Sequence, residues 1–448
     1  MKTITFGCRL NHAESHEMAQ MGDKIGGLDH VIMVNRCAVT SEAERQLLQT
    51  LRKLRREQPQ KYLVLTGCAA TIDPDYYRQT ALVDAIIPNA NKIELKSFED
   101  IKKSVSNHLS KDQNQITQSL IEGNASATIA SGHETDFYDL NERGGTPRLV
   151  SGASKSKTRA YLQVQQGCDH DCTFCIIPKG RGKSISFECD KIVEKAIELT
   201  EQGYKEIVLT GVDLTSWQSS QDPKLGLGFL VFELLKRVKK LARLRLSSID
   251  CIEIDPVLFE LLIHEQRLMP HLHLSLQSGD DMILKRMKRR HLSATASKLC
   301  ERLKQARQSF TFGCDLITGF PTESDQMFEN TLRFVEKTHL TSLHVFPYSP
   351  RPNTPAHRIP NQVPVEIRRK RAKILRELGD KKLLQHLNNQ IGKKTTILLE
   401  TPIMGRAPDN SLVMLDQPLS KNMLVDVEIK GIDMSTGKSP KLQAVACI

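Results

Sequence analysis

The first hundred residues alternate between short apolar runs and longer amphipathic stretches, and this alternation constrains the fold more than any other feature of the sequence. The runs KTITFGC, HVIMVNRC and YLVLTGC have strand character, and a stretch with helical periodicity follows each of them. Strands that alternate with helices form parallel sheets with right-handed crossovers. The pattern therefore predicts an N-terminal α/β domain with a parallel sheet over residues 1–102.

Each of the three runs ends in a cysteine, namely Cys8, Cys37 and Cys68. The carboxyl ends of parallel strands lie along one edge of a sheet, where open α/β sheets bind ligands. A single cysteine at such a position would be interpreted as a small buried hydrophobic residue. Three cysteines at the same phase of a repeat favour a shared metal cluster, so we expect these thiols to converge.

Residues 103–157 differ in composition from the residues before and after them. They are rich in Ser, Asn, Gln, Thr and Gly and show little periodicity. This composition is typical of a linker, here with one short helix. We expect the linker to separate two folded units.

A second alternation of strands and helices begins at Ala160. Its six apolar runs are YLQVQ, EIVLT, RLRLSS, HLHLS, FGCDLI and LHVF. Six βα units predict a partial (βα)6 barrel over residues 158–385. We expect the barrel to be open on one side and to carry its chemistry at the carboxyl ends of the strands.

Cys168, Cys172 and Cys175 follow the first of these strands with the spacing Cys-x3-Cys-x2-Cys. Three thiolates on one loop can hold an iron–sulfur cluster, and a four-iron cluster would keep one iron without a protein ligand. The same loop would also suit a structural zinc ion that takes its fourth ligand from elsewhere. The residues alone leave both interpretations open.

Polar residues stand at the ends of several later strands, on the edge where the cysteine loop is expected. They are Gly211, Asp213, Ser247, Ser248, Gln277, Gly319 and Thr322. Any single residue of this kind is ordinary turn or cap chemistry. Together they would line the mouth of the barrel.

The pattern changes after the proline-rich stretch 347–364. A long basic helix is expected first, and short strand runs with turn residues between them then predict a small antiparallel barrel within residues 386–448. Barrels of this size often bind oligonucleotides, and a role as a stability cap is the alternative.

The composition indicates a multidomain protein with a polyanionic partner. The 448 residues exceed what one core organises, and no run approaches the roughly 20 apolar residues that span a bilayer. An excess of 63 Lys and Arg over 52 Asp and Glu gives a net charge of +11, with basic clusters at 52–57, 285–291 and 368–373. This charge favours nucleic acid. The N-terminus lacks the apolar core of a signal peptide, so we expect a cytoplasmic protein.

The sequence contains eleven cysteines, which are not expected to form disulfides in a reducing compartment. Five of them share no spacing with the two sets above. We interpret these five as buried small hydrophobic residues or surface thiols: Cys189, Cys251, Cys300, Cys314 and Cys447.

These motifs resemble the radical S-adenosylmethionine (radical SAM) methylthiotransferase family over nearly the whole chain. The cysteine signatures are GCRLNHAES, NRCAVTSEAER, TGCAAT and QQGCDHDCTFCIIPKGRG, and stretches such as LTGVDLTSW and LHVFPYSPRPNTPAHR are most similar to the MtaB-type enzymes. Arg36 departs from the pattern, because a threonine usually precedes the second cysteine. Asn353 replaces a common glycine.

The resemblance implies a flavodoxin-like methylthiotransferase domain, a radical SAM core and a C-terminal TRAM domain with an OB-like fold. It also implies S-adenosyl-L-methionine (SAM) and two [4Fe–4S] clusters. The implied ligands are Cys8, Cys37 and Cys68 for an auxiliary cluster, and Cys168, Cys172 and Cys175 for the cluster that cleaves SAM. The expected SAM contacts are Gly211, Asp213, Ser248 and Gln277.

The resemblance further implies a reaction on tRNA. One SAM molecule methylates sulfur held at the auxiliary cluster, and another is cleaved to a radical that removes the hydrogen from C2 of the adenine. The implied product is 2-methylthio-N6-threonylcarbamoyladenosine at position 37 in the anticodon loop. The implied partners are tRNA and an electron-donor protein, with no membrane, and nothing in the sequence demands more than a monomer.

Two alternatives remain at this stage. The methylthio group could be added to isopentenyladenosine 37 of tRNA or to an aspartate of a ribosomal protein, although the positive charge favours RNA over protein. The other alternative is a non-catalytic RNA-binding protein whose clusters act as redox sensors. A sensor has no need of an open iron.

Overall fold

The computed structural model describes residues 1–37, 40–121, 149–152, 158–435 and 440–447. The chain divides into two compact units. The first unit is Met1–Gly152 together with Ile176–Gly182, and the second is Ala153–Cys175 together with Lys183–Ile448. The short segment directly after Cys175 therefore belongs to the first unit.

The first unit contains the parallel sheet that the sequence predicts. The strands of this sheet are β1 (Lys2–Phe6), β2 (Val31–Arg36), β3 (Tyr62–Thr66) and β4 (Ala85–Ile87). The unit also includes the two-residue strand β5 (Ser151–Gly152), which is not part of this sheet. Its helices are α1 (Arg9–Ile25), α2 (Ser41–Glu57), α3 (Cys68–Ile72), α4 (Pro74–Gln79), α5 (Leu95–Ile121) and α6 (Ile177–Arg181). Leu47 and Leu51 of α2 are fully buried in one core cluster with residues of β2 and β3.

The order of the strands in this sheet is β1-β2-β3-β4, which follows the chain. A flavodoxin-like sheet has the order 2-1-3-4-5 and therefore a reversal point between its first and third strands. The predicted parallel α/β sheet is confirmed, and its strands follow the order of the chain instead of the flavodoxin order. Hydrophobic periodicity reports the type of each element and carries no information on which neighbour a strand selects.

The predicted linker begins within a helix. Helix α5 continues to Ile121, so residues 103–121 extend an element of the first unit. The polar composition of this stretch concealed its helical character. Residues 122–148 and 153–157, which make up most of the expected linker, lie outside the described residues.

The second unit begins with the parallel strands of the partial barrel. They are β6 (Arg159–Gln163), β9 (Glu206–Thr210), β10 (Arg243–Leu246), β11 (Ser248–Ile249), β12 (His271–Gln277), β13 (Thr311–Thr318) and β14 (Leu340–Pro347), with β7 (Gln165–Gln166) and β8 (Ile185–Ser186) forming a small antiparallel pair. Strands β6, β9 and β10 pair in parallel, as do β11 to β14. Since Ser247 alone separates β10 from β11, one extended stretch joins the two sheets.

Helices cover these strands as expected for βα units. They are α7 (Cys189–Glu201), α8 (Leu227–Arg237), α9 (Pro256–His264), α10 (Asp281–Arg286), α11 (Ser293–Ala306), α12 (Asp325–Lys337) and α13 (Val365–Asn388). In β12 the residues Leu272, Leu274 and Leu276 are buried, and the alternate residues from His273 onward are half-buried. The half-buried face of the strand carries the polar side chains, as the period of two requires.

The C-terminal strands form a closed barrel in the order β15-β16-β17-β19-β18. They are β15 (Lys394–Thr401), β16 (Met404–Arg406), β17 (Leu412–Leu415), β18 (Leu424–Asp433) and β19 (Lys441–Ala446). The predicted small barrel is confirmed, and it is antiparallel except where β17 and β19 pair in parallel. The predicted boundary at residue 386 falls within α13, which continues to Asn388.

The C-terminal barrel packs against the amino ends of the parallel strands. Arg243 donates to the carbonyl oxygens of Arg406 and Thr396 at 3.0 and 2.6 Å, and Arg245 donates to that of Pro408 at 3.0 Å. The Oγ1 of Thr311 donates to the carbonyl oxygen of Asp409 at 2.8 Å. The barrel therefore lies at the opposite end of these strands from the cysteine loop.

Within the described residues, no helix combines the length and the apolar character needed to cross a bilayer. Of the five cysteines outside the two sets, the buried ones are Cys251, Cys300 and Cys314. Cys189 is half-buried and Cys447 is exposed. These positions agree with the interpretation of the five as core residues or surface thiols.

Candidate functional site

The cysteine loop of the second unit leaves the sheet through a turn held by one glutamine. Gly167 has a φ of +73°, a conformation that favours glycine. The side-chain amide of Gln165 donates to the carbonyl oxygen of Gly167 at 2.8 Å, and its oxygen accepts from the backbone N–H of Asp213 at 2.8 Å. A Cβ on Gly211 would lie 2.9 Å from the same oxygen, so a side chain there would displace the amide of Gln165.

Cys168, Cys172 and Cys175 are all half-buried on this loop. The N–H of Cys175 donates to the carbonyl oxygen of Cys172 at 3.0 Å, which closes a turn between the two cysteines. Burial raises the pKa of the Cys168 thiol to about 12, and the negative charges of Asp213, Cys175 and Cys172 act in the same direction. A thiol of this kind becomes a thiolate when a metal displaces its proton. The donor set therefore fits an iron–sulfur cluster held by three cysteines.

A buried ion pair supports the loop from the next part of the barrel. Arg289 donates to the Sγ of Cys172 at 3.6 Å, to a carboxylate oxygen of Asp250 at 2.9 Å and to the carbonyl oxygen of Ser275 at 2.7 Å. The side chains of Arg289 and Asp250 are 8% and 4% exposed, so the pair is shielded from water. Arg289 thereby fixes one cluster cysteine relative to the strand ends.

A shell of charged side chains surrounds the loop. His170 lies 2.7 Å from Asp213, and Arg290 contacts Glu253 at 2.5 Å and Asp250 at 3.4 Å. An open cavity of about 230 Å³ lies among them, and its lining residues are Asp169, His170, Asp171, Cys172, Lys288, Arg289 and Arg290. The sequence showed Lys288 to Arg290 only as part of a basic cluster at 285–291, without a link to the cysteines.

The four residues predicted to contact SAM lie after or at the end of a strand, and Ser248 does so by following β10 at the start of β11. Asp213 reaches the cluster loop directly, since the Sγ of Cys168 donates to its carboxylate at 3.8 Å. Gly211 packs against Gln165. Ser248 is exposed in β11, and Gln277 ends β12 with a φ of +74°. Their role as SAM contacts stays a prediction.

Two further polar groups at these strand ends are candidates for a ligand. The side-chain oxygens of Thr210 and Ser247 are buried and have no hydrogen-bond partner within the described part of the chain. Thr210 ends β9, and Ser247 lies between β10 and β11. A buried hydroxyl without a partner is unfavourable by about 1–3 kcal/mol, which a polar ligand would relieve. The sequence places Ser247 among the strand-end polar residues, whereas nothing in it singles out Thr210.

In the first unit the strand register brings the three strand-end cysteines together. Phe6 is aligned with Arg36 in the β1–β2 pair, and Asn35 is aligned with Thr66 in the β2–β3 pair. Cys37 and Cys68 therefore follow at the same level, and Cys8 lies one residue beyond it. The sulfur of Cys68 forms a hydrogen bond with Cys37.

Two glycines permit this close approach. A Cβ on Gly7 would lie 2.7 Å from the Cβ of Cys37, and one on Gly67 would lie 2.5 Å from the carbonyl oxygen of Arg36. Both glycines also have positive φ angles, of +122° and +96°. The glycine before each of the first and third cysteines is therefore a requirement of the backbone, because a side chain at either position would force the strand ends apart.

The environment of Cys68 favours the thiolate. The hydrogen bond with Cys37 lowers the pKa of Cys68 well below its usual value, and it is assisted by the positive charges of Arg181 and Lys92 against the opposing effect of burial. The Nδ2 of Asn89 donates to the Sγ of Cys68 at 3.6 Å. Thiolates are the form in which cysteine binds metals. These residues fit a second cluster, and their assignment as its ligands stays a prediction.

Two family models match the chain. A model of the radical SAM superfamily matches residues 162–335, which span the cysteine loop and most of the partial barrel. A model described as uncharacterized protein family UPF0004 matches residues 1–88, which contain the three strand-end cysteines.

Three relatives cover nearly the whole chain. The threonylcarbamoyladenosine tRNA methylthiotransferase MtaB of Rickettsia prowazekii is 42% identical over 96% of this chain and 94% of its own length. The protein of the same name from Thermotoga maritima is 31% identical, over 90% and 88% respectively. The tRNA-2-methylthio-N(6)-dimethylallyladenosine synthase of Bartonella tribocorum is 32% identical, over 95% and 93%.

A solved structure shares the fold at low sequence identity. The radical S-adenosylmethionine methyltransferase TsrM from Kitasatospora setae, solved with cobalamin and a [4Fe-4S] cluster, has a TM-score of 0.50 and 14% identity. The alignment covers 76% of this chain and 68% of that one. The identity of 42% over almost the full length of both proteins is the stronger finding. It confirms the resemblance seen in the motifs: the chain belongs to the MtaB family of radical SAM tRNA methylthiotransferases.

Proposed function

We propose that this protein transfers a methylthio group to C2 of N6-threonylcarbamoyladenosine at position 37 of tRNA. The observation that carries the proposal is the 42% identity to the Rickettsia prowazekii MtaB, which extends over 96% of this chain. The similarity to a dimethylallyladenosine-modifying relative is lower, at 32%. The difference favours threonylcarbamoyladenosine over isopentenyladenosine as the substrate.

We further propose a division of roles between the two cysteine sets. Cys168, Cys172 and Cys175 would hold the [4Fe–4S] cluster that binds SAM, and Cys8, Cys37 and Cys68 would hold the auxiliary [4Fe–4S] cluster. When bound, the clusters supply the reductive cleavage of SAM and the site from which sulfur is transferred. We also propose approximate limits for the three functional parts. Residues 1–102 hold the auxiliary cluster, residues 158–385 form the radical SAM core after a linker at 103–157, and residues 386–448 form the RNA-binding domain.

The chain's own residues orient these groups. Arg289 anchors Cys172 to Asp250, so the loop is held in place before SAM binds. Gln165 fixes Gly167 and the backbone of Asp213 relative to one another. Such preorganisation matters in radical chemistry, because the reactive atom must be positioned against the substrate while side reactions are excluded. Asp213, Ser248, Gln277 and Gly211 are proposed to line the SAM site.

The proposed partner is the anticodon loop of a tRNA. Its bases are single-stranded and can be splayed out for binding, and the net charge of +11 suits a phosphate backbone. We propose that the C-terminal barrel, residues 386–448, binds the tRNA at a distance from the reacting base. Residues 386–448 carry seven Lys and Arg against six Asp and Glu, and the barrel packs at the amino ends of the strands. An electron-donor protein, a cytoplasmic location and a monomeric state complete the proposal.

The test is nucleoside analysis of tRNA by mass spectrometry. The gene would be expressed in a bacterial host that lacks its own methylthiotransferases. We expect 2-methylthio-N6-threonylcarbamoyladenosine to appear, and we expect it to be absent with a Cys172→Ala variant. Appearance of the methylthio-isopentenyl nucleoside instead would assign the other substrate, and absence of both would contradict the proposal.

A second assay separates catalysis from sensing. Anaerobically reconstituted protein, supplied with SAM and a reductant, should release 5'-deoxyadenosine, and the Cys172→Ala variant should not. A protein that never released this product would be a cluster-containing RNA-binding protein and not an enzyme.

A further inference from the structure

Three charged side chains are almost completely buried behind the auxiliary cysteines. Glu14 and Lys92 are each 2% exposed, and Arg181 is 3% exposed. The Nζ of Lys92 lies 2.5 Å from one carboxylate oxygen of Glu14, and Arg181 donates to both oxygens of the same carboxylate. Buried charges are stable only when they are paired, yet here two cations share one carboxylate.

Each of the two cations is connected to a cysteine through an asparagine. Lys92 donates to the Oδ1 of Asn89 at 2.7 Å, and the Nδ2 of Asn89 donates to the Sγ of Cys68 at 3.6 Å. Arg181 donates to the Oδ1 of Asn11 at 2.5 Å, and the same oxygen accepts from the Sγ of Cys8 at 3.5 Å. The asparagines that contact Cys68 and Cys8 are therefore themselves held by buried cations.

Arg36 adds a third cation beside Cys37. Its guanidinium donates to the carbonyl oxygen of Ala43 at 2.7 Å and to the side-chain oxygen of Gln46 at 3.0 Å, and it lies 4.5 Å from the centre of the Phe6 ring. None of these hydrogen-bond partners carries a charge, and the carboxylate of Glu42, which forms hydrogen bonds with Arg45 and Gln46, acts on Arg36 only through space. The surroundings of the three cysteines thus hold a positive charge that Glu14 cancels only in part.

We propose that Lys92 and Arg181 are charge-compensating residues for the auxiliary cluster, and that Glu14 limits the positive charge which this cluster experiences. The proposal rests on the assignment of Cys8, Cys37 and Cys68 as cluster ligands. A cluster with three thiolate ligands is anionic, and its reduction adds a further negative charge. Net charge and hydrogen bonds near the sulfurs set the reduction potentials of such clusters. The two cations would therefore make the auxiliary cluster easier to reduce.

The charges of Lys92 and Glu14 allow a test with opposite signs. Both variants would be made in a Cys168→Ala, Cys172→Ala, Cys175→Ala background, so that the auxiliary cluster is measured alone. We expect Lys92→Met to shift its midpoint potential to more negative values and Glu14→Gln to shift it to more positive values. A tenfold change in the reduction equilibrium, which is about 59 mV for one electron, is the expected size of each shift. Lys92→Arg keeps the charge and is the matched control, with a shift much smaller than that of Lys92→Met.

Iron content and circular dichroism complete the experiment. Loss of iron from Lys92→Met, with Lys92→Arg loaded and the secondary structure unchanged, would support the proposal, because outer-shell residues alter metal affinity by about 10–100-fold. If Lys92→Met does not fold, the Glu14→Gln variant tests the proposal alone. A shift of its midpoint potential to more positive values would support the proposal, and a shift to more negative values would overturn it. Shifts of the same sign in both variants, or no shift in either, would overturn the proposal. The measurement of potential and iron content needs no tRNA. Failure of this proposal would therefore leave the proposed tRNA substrate unaffected.

Discussion

Arg289 connects residues that are far apart in the chain. It contacts Cys172, which is 117 positions away, and Asp250, which is 39 positions away. Its neighbour Arg290 is 44% exposed and takes part in the rim of the cavity, whereas Arg289 is 8% exposed. Two adjacent arginines of one basic run therefore have different roles, one inside the site and one at its surface.

Replacement of Arg289 by methionine should destabilise the protein. The change removes the main partner of a buried carboxylate, and breaking such a pair typically costs about 3–5 kcal/mol. We expect the lower end of this range, since Arg290 remains 3.4 Å from Asp250. Urea unfolding of the apoprotein, followed by circular dichroism, measures the change. Arg290→Met is the control, and an equal loss in both variants would contradict a special role for Arg289.

At the scale of elements, one polar turn of the C-terminal barrel contacts both the end of α13 and the partial barrel. Asp409 in this turn lies 2.9 Å from His386 of α13 and accepts from the hydroxyl of Ser411 at 3.1 Å. Burial would raise the pKa of Asp409, but the hydrogen bonds and charge of His386 outweigh this effect and lower it. The ionised carboxylate thus contributes to the docking of the barrel.

The lowered pKa of Asp409 predicts a stability that depends on pH. A carboxylate with a depressed folded-state pKa stabilises the fold above the unfolded value near 3.8, and this stability is lost as the pH falls through the folded-state pKa. Asp409→Asn should therefore lower the free energy of unfolding by about 1.5–3 kcal/mol at pH 7. The difference in this free energy between wild type and variant should become smaller at acidic pH.

The measurement is urea unfolding of both proteins between pH 7 and pH 3. Asp416→Asn is a matched control, because Asp416 is an exposed carboxylate of the same barrel. It should change stability by less than about 0.5 kcal/mol. A loss in Asp409→Asn that stays constant over this pH range would contradict the role assigned to the ionised group.

At the scale of the whole molecule, each compact unit contains one of the two cysteine sets. Cys8, Cys37 and Cys68 belong to the first unit, whereas the cysteine loop 168–175 belongs to the second. The two sets use different scaffolds, namely three aligned strand ends in one case and one loop in the other. We therefore expect each cluster to assemble without the other.

Paired triple variants test this independence. A Cys8→Ala, Cys37→Ala, Cys68→Ala protein should lose about half the iron, should still release 5'-deoxyadenosine from SAM, and should form no methylthio nucleoside. The triple alanine variant at 168, 172 and 175 should also lose about half the iron, but it should release no 5'-deoxyadenosine. Iron per chain and chromatography of the products measure both. Loss of all iron in either variant would contradict independent assembly.

Local patterns determined much of the fold. Hydrophobic periodicity located the parallel strands of both units, because the burial of a strand produces a pattern of apolar residues within a short stretch of the chain. It missed the order of the first sheet, the parallel pair within the small barrel and the full length of α5. The two strand arrangements depend on which distant strand each strand pairs with. The length of α5 was missed because the polar composition of this helix hides its periodicity.

The basic cluster at 368–373 illustrates the same limit for charges. The sequence shows this run only as a basic cluster, yet Arg368 and Arg371 are buried. Arg371 forms ion pairs with Glu323 and Asp325 at 2.7 and 2.8 Å. A run of like charges in the sequence does not reveal which of them the fold neutralises.

The sequence by itself determined the chemistry available to this protein. The spacing of Cys168, Cys172 and Cys175, and the repeat phase of Cys8, Cys37 and Cys68, are properties of the chain alone. The tertiary structure decided the electrostatic setting of the cysteines. Lys92 and Arg181 are 78 and 167 positions from Glu14, and they form a buried network only because the fold brings them together. The interaction of charges depends on distance and on exclusion of water, and both are set by the packing of the folded chain.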